Sequence, residues 1–348
     1  MKKRVALLVI VFSLVLAACK KDEEENVVVN SGPTPYDLII PNSLPPMNIP
    51  ESNPLTVEGI ALGKKLFYDP ILSTNNTQAC ADCHSQEYSF TSVYQFNFGA
   101  LGDIGVRNSM PILNLGWHPG LFWDGGASNL ESQVIGPIEN PIEMHQRLDL
   151  LMIELQQHPE YPAMFKAAFG TDQITTPLLM KAVAQFERIL ISGNSRYDQY
   201  VEGTAELTPQ EINGMNLYSD MMKGDCNHCH TLGSTFTDFA YRNTGLDSIP
   251  QDQGRYLITL NESDRGRFKT PTLRNIEHTG PYMHDGRFPT LLECVQHYNT
   301  GFHYAANLDG NLASAQKGRM TEQEMQDIVA FLLTLTDEEF LNNPAFKP

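Results

Sequence analysis

Cys80-Ala81-Asp82-Cys83-His84 and Cys226-Asn227-His228-Cys229-His230 share the pattern C-x-x-C-H. Two thiols at this spacing add to the vinyl groups of one haem, and the histidine that follows becomes the proximal iron ligand. A redox dithiol followed by a chance histidine, or two disulfides in an exported protein, would fit either motif alone. Both alternatives need the same histidine to follow both pairs by accident. The chain is therefore expected to hold two covalently bound c-type haems, attached at Cys80 and Cys83 and at Cys226 and Cys229, with His84 and His230 on the irons.

Each motif is followed by a similar segment. "RNSMPILNLGWHPGLFWDGGASNLE" follows the first and "KTPTLRNIEHTGPYMHDGRFPTLLE" the second. Asn114 lies ten residues before Asp124, and Asn275 ten before Asp285, while Leu130 and Leu291 each lie six beyond those aspartates. Two copies of one haem-binding unit are expected. Aligning them pairs Trp123 with His284, Gln133 with Cys294, and Pro137 with Tyr298. If the last position faces iron in both units, proline leaves the first iron a vacant position, whereas a tyrosine oxygen can close the second. A vacant iron can activate a small oxidant; a closed one passes electrons. His297 competes with Tyr298, because neighbours on a helix point about 100° apart and only one can meet the iron squarely. The repeat alignment favours Tyr298, and packing near the haem is its alternative role. Cys294, without a visible partner, reads as a buried structural thiol.

The elements that must position these residues are helical. Thr176-Pro177 reads as a cap and first-turn proline ahead of Leu179, Val183, Phe186 and Leu190. Leu148, Leu151, Met152 and Leu155 recur at helical spacing. Thr208-Pro209-Gln210-Glu211, Thr290-Leu291-Leu292-Glu293 and Thr321-Glu322-Gln323-Glu324 have the form of capping boxes. Alternating strand patterns are scarce, so the expected class is mainly α, with long irregular loops.

The N-terminus carries a different signal. Lys2, Lys3 and Arg4 precede an apolar run from Val5 to Ala18, too short to span a bilayer but suited to a signal-peptide core. Leu16-Ala17-Ala18-Cys19 resembles a lipoprotein cleavage box, which makes Cys19 the expected lipidated residue and 1–18 the signal peptide. Residues 19–54, charged at first and then proline-rich, read as a tether. Residues 55–203 and 204–348 are the two expected cytochrome c-like haem domains. The expected location is exported, periplasmic or cell-surface, and lipid-anchored to a bacterial membrane. The formal charge is −17. Removal of Lys2, Lys3 and Arg4 with the leader takes it to −20, which excludes nucleic acid as a natural partner and could steer a small basic electron donor.

With these residues in hand, the chain closely resembles the bacterial dihaem cytochrome c peroxidases, including their relatives that mature methylamine dehydrogenase. "LGKKLFYDPILS", "FWDGGASNLESQVIGPIENPIEM" and "FKTPTLRNIEHTGPYMHDGRF" carry the resemblance, from about residue 55 to the end. It implies that Trp123 carries electrons between the haems and that Gln133 and Glu143 line the distal pocket of the first. It further implies a calcium site formed by Asn108 with the carbonyls of Thr279 and Pro281, an oxygen-only set suited to a hard cation. The implied activity is reduction of hydrogen peroxide to water. Electrons would come from a small cytochrome c or cupredoxin, and a homodimer is one possible assembly. Oxidation of a partner protein and simple dihaem electron carriage are the alternatives.

The chain departs from the family pattern twice. Many of these peroxidases carry a histidine in the loop before "RN" that caps the first haem; that position falls near Ala100, and residues 85–117 contain no histidine. His118 lies on the wrong side of that loop. The resemblance then implies that no reductive activation is needed. Where the peroxidases place methionine, this chain has Tyr298, as the maturation enzymes do; an anionic oxygen there favours ferric iron. His145, just beyond Glu143, could tune the pocket but reads as a surface residue.

Overall fold

The helix Val57–Tyr68 starts at Thr56, whose hydroxyl accepts from the N–H of Gly59. It crosses the helix Thr176–Arg188 so closely that a Cβ at Gly63 would overlap the carbonyl oxygen of Ala182. The computed structural model describes residues 32–348, and its second half repeats this crossing. There the helix Pro209–Ser219 meets Glu322–Leu333, and a Cβ at Gly214 would overlap the carbonyl oxygen of Asp327. Glycine is required at both points because the backbones approach more closely than any side chain permits. Thr208 and Thr321 form the capping boxes expected of them with Glu211 and Glu324, each worth about 1 kcal/mol. The expected cap at Thr176 is displaced by one residue. Thr175 holds the cap position and the helix begins at Thr176, with Pro177 still in the first turn, where its missing N–H leaves no hydrogen bond unmade.

The internal echo is a structural repeat. Asn114 and Asn275 both adopt the left-handed conformation, each with φ of 55°. The N–H of Asn114 donates to Leu190 O and that of Asn275 to Leu335 O. Their side-chain oxygens accept from the N–H groups of Ser192 and Asp337. Leu121 bridges Ala127 as Tyr282 bridges Phe288. Asn129 then caps Leu130–Gln133 as Thr290 caps Leu291–Gln296. The copies diverge just beyond, where Leu291–Gln296 runs into a π-helical turn, His297–Gly301.

The halves interlock. Asn275 Nδ2 donates to Ser192 Oγ at 3.2 Å, and Ser192 Oγ donates to Asp337 Oδ2 at 3.1 Å. The chain then returns to the first half. Phe340, Leu341 and Phe346 join Phe67, Phe90, Phe186 and Leu190 in one core, about 1.5–3 kcal/mol for each large side chain buried. The last residues of 204–348 therefore belong structurally with the first haem unit, and residues 32–348 form one compact unit. The expected leader, Cys19 and the first part of the tether lie outside the described residues. Residues 32–54 lack helix and strand but are not free. Tyr36 N donates to Leu55 O, Ser43 Oγ to Gly193 O, and Trp117 Nε1 donates to Pro45 O.

Strand is confined to short pieces. Tyr241–Arg242 pairs antiparallel with Phe268–Lys269, placing Tyr241 opposite Lys269 and Arg242 opposite Phe268. This small ladder sets Lys269 beside Trp123. Among the described residues, no helix is long and apolar enough to cross a membrane.

Candidate functional site: two cavities separated by Trp123

Each C-x-x-C-H histidine is held from behind by the main chain. His84 Nδ1 lies 2.8 Å from Phe90 O, and His230 Nδ1 lies 3.2 Å from Phe236 O. Both carbonyls lie six residues beyond their histidine, and both phenylalanines have positive φ. With Nδ1 donating to a carbonyl, Nε2 is left as the iron-binding nitrogen. Burial lowers the pKa of both histidines, His230 to about 4, so the rings stay neutral, the form that ligates. Cys80, Cys83, Cys226 and Cys229 are all free thiols rather than disulfides.

The first cavity, about 1020 Å³, is bordered by Cys80, Cys83 and His84 on one side and by Gln133, Pro137 and Glu143 on the other. Gln133 Oε1 is buried without a hydrogen-bond partner among the described residues, an orphan acceptor that a ligand or water in the cavity would satisfy. Glu143 opens onto the cavity while protein crowds around it. Burial raises its carboxyl above the ordinary glutamate range, and a 2.6 Å hydrogen bond from Asn140 Nδ2 opposes the rise. Where the family's capping histidine would fall, Ala100 N donates to Glu143 O at 2.7 Å and Gly99 packs against Ile142 and Glu143. That loop fixes the backbone of Glu143. His145 is exposed.

The second cavity is narrower, about 210 Å³, and is bordered by Cys226, Cys229, His230, Tyr298 and Cys294. Tyr298 faces this cavity from the π-helical turn, an insertion frequent at functional sites. Burial pushes its phenol well above the ordinary tyrosine range. His297 is committed elsewhere: its Nε2 lies 2.9 Å from Thr244 O, and it does not border the cavity. Cys294 occupies the place equivalent to Gln133, and it lines the cavity rather than the packed core.

Both donor sets suit a haem: a thiol pair, a neutral histidine with a free Nε2, and a cavity opposite. Trp123 borders both cavities. Its Nε1 donates to Asn108 O at 2.8 Å, and its ring meets His284 edge-on, with centroids 6.5 Å apart. Phe268 stacks on His284 at 3.7 Å. Asn108, Thr279 and Pro281 all border the second cavity. Asn108 Nδ2 is spent on Tyr94 O and Gln95 O, which leaves its Oδ1 available to a cation. Among the described residues, no cluster of three His, Cys, Asp or Glu side chains is arranged to hold a metal.

Three site residues escape the sequence pattern. Asn140, which holds Glu143, sits in an ordinary turn. Glu187, buried at the first cavity with Oε2 unpartnered, sits in an amphipathic helix. Lys269 follows Arg265 and Arg267 and reads as one more basic residue of a polar segment. Only the two-residue ladder reveals its depth.

The description Di-haem cytochrome c peroxidase matches residues 57–206. The methylamine utilization protein MauG of Methylophilus methylotrophus is 33% identical over 296 residues, 85% of this chain and 86% of that protein. The cytochrome c551 peroxidase of Nitrosomonas europaea is 35% identical over 293 residues, covering 82% of this chain and 81% of that one. A solved MauG-like protein associated with microbial copper homeostasis superposes with a TM-score of 0.84 at 33% identity, covering 90% of this chain and 99% of that one. With two C-x-x-C-H sites facing two cavities and this likeness along most of its length, the chain belongs to the di-haem cytochrome c peroxidase and MauG family.

Proposed function

We propose that the protein reduces hydrogen peroxide to water at the first cavity, with two electrons delivered by a small cytochrome c or cupredoxin through the second. The observation that carries this reading is the asymmetry of the cavities: Pro137, with no donor atom, faces the first, and Tyr298 faces the second. When bound, the haem at His84 supplies an iron able to pass electrons to peroxide. The chain supplies the rest. Glu143 takes the proton from one peroxide oxygen and returns it to the other, which leaves as water. Gln133 orients peroxide or an ordered water. Trp123, bordering both cavities, offers the route for electrons between them. Two protons and two electrons convert one peroxide to two waters.

Asn108 with the carbonyls of Thr279 and Pro281 is the proposed calcium site, holding together segments of both halves. Cys19 is the proposed lipid attachment, on an exported, membrane-anchored protein. Tyr298 favours a second reading, in which the same cavity oxidises residues of a partner protein, because the maturation enzymes carry tyrosine at that position.

Steady-state peroxide turnover with a reduced cytochrome tests the reading. Sustained turnover with two electrons consumed per peroxide supports it. Peroxide consumption only when a partner protein is oxidised favours the second reading, and no consumption leaves electron carriage.

A further inference from the structure

Three cationic side chains are buried among the described residues: Arg188, Arg274 and Lys269. Arg274 forms a two-pronged pair with Asp198 at 2.7 and 2.9 Å, and Arg188 meets Glu131 at 3.0 Å. Among the described residues Lys269 has no such partner. It is 2% exposed, and its Nζ contacts only neutral groups, His118 Nδ1 at 3.1 Å and Gly120 O at 3.2 Å. A buried cation with no anion is costly, and proteins keep one where an anion arrives.

The protonation pattern of the pair shows which anion fits. An ammonium can only donate, so His118 Nδ1 must accept, and the ring proton sits on Nε2. That Nε2 is buried with no partner among the described residues, and His118 lines the first cavity. The ammonium has three N–H bonds, of which two are used. Two donors therefore remain free, Lys269 Nζ and His118 Nε2, on one wall of a cavity that fits a haem. An acceptor with two adjacent oxygens matches them, and haem carries carboxylates of that form. Phe239 meets the His118 ring edge-on, with centroids 4.8 Å apart, and holds it in place. Burial alone brings the lysine down to about 8, with no carboxylate countering it; a propionate beside it would keep it charged.

We infer that Lys269 and His118 form the anchor for a propionate carboxylate of the first haem, set next to Trp123. The inference rests on the first haem being carried at His84, as proposed above. The second link is main-chain: Lys269 N donates to Trp123 O at 2.7 Å. The residue that grips the propionate thereby also fixes the backbone of the residue between the cavities. A positive charge at a propionate favours the reduced iron, so the anchor raises the potential of the first haem.

The test uses the holoprotein, with spectroelectrochemistry of both haems and resonance Raman spectra of the propionate bending modes. In Lys269→Met, with two haems per chain, the midpoint of the first haem should fall and its propionate mode should shift, while Lys269→Arg restores both. His118→Gln should shift the same mode with a smaller fall in midpoint, and it decides the matter should Lys269→Met lose haem. An unmoved mode with an unmoved midpoint overturns the anchor. So does a first-haem midpoint in the unmodified protein that tracks chloride at constant ionic strength, which would assign Lys269 to a dissolved anion. Conversion of the first haem from low to high spin in His118→Gln also overturns it, since Nε2 would then be an iron ligand. A single haem per chain in the unmodified protein instead defeats the underlying assignment of His84.

Discussion

Trp123 Nε1 donates to the main-chain oxygen of Asn108 at 2.8 Å. This bond ties the indole between the cavities to the residue proposed to hold the cation. Asn108 N in turn donates to His284 O at 2.7 Å, so first-half and second-half segments meet at one amide. Trp123→Phe should leave both haems attached but slow re-reduction of the first by the second, measured by stopped-flow mixing of the reduced protein with peroxide. An unchanged rate would mean electrons bypass the indole.

Glu143→Gln removes the proton carrier but keeps its shape. Peroxide turnover should fall at least ~tenfold with both haems retained. Unchanged turnover would remove Glu143 from the chemistry.

The pH profile follows from the direction of the same shift. Glu143 must be ionised to accept a proton, and burial raises its pKa. The acid limb of turnover should therefore lie above the ordinary glutamate range. Asn140 lowers that pKa through its 2.6 Å bond, so Asn140→Ala should move the limb to still higher pH. A limb that stays put would exclude Glu143 as its origin.

Tyr298→Phe should convert the second haem from six- to five-coordinate, visible in its absorption and electron paramagnetic resonance spectra, while the first is unaffected. A second haem of unaltered coordination contradicts tyrosine ligation.

Glu187 carries a pH effect on stability. Burial raises its pKa from 4.5 to about 8; the neighbouring Arg188 charge opposes the rise and the Glu131 carboxylate adds to it. The folded carboxyl holds its proton where the unfolded one has lost it. The stability that this contributes is complete below about 4.5 and is lost as pH rises through about 8. Urea unfolding across that window should show the unmodified protein losing stability relative to Glu187→Gln, by on the order of 1 kcal/mol per pH unit at most. A constant difference would place the ionised carboxylate in the fold.

Much of this site is legible in the sequence because covalent attachment demands a fixed local pattern. C-x-x-C-H needs no tertiary information, and the echo around Asn114 and Asn275 follows from two copies solving one backbone problem. The helix caps at Thr208 and Thr321 are equally local. What is not legible depends on distant segments meeting. His297 and Tyr298 both lie in a π-helical turn, whose presence no periodicity announces and which aims only the tyrosine at the cavity. Lys269 reads as an ordinary lysine until a two-residue ladder buries it. The return of Phe340 and Phe346 to the first core joins residues more than two hundred positions apart, and a boundary drawn along the chain misses it.

On the proposed reading, one iron has a vacant sixth position and the other is closed by the chain. Electron paramagnetic resonance of the resting ferric protein, with haem counted per chain, measures this directly. Two haems are expected, one high-spin and one low-spin, with the low-spin signal lost in Tyr298→Phe. Two low-spin haems that both remain six-coordinate through protein side chains after reduction, or one haem per chain, would contradict it.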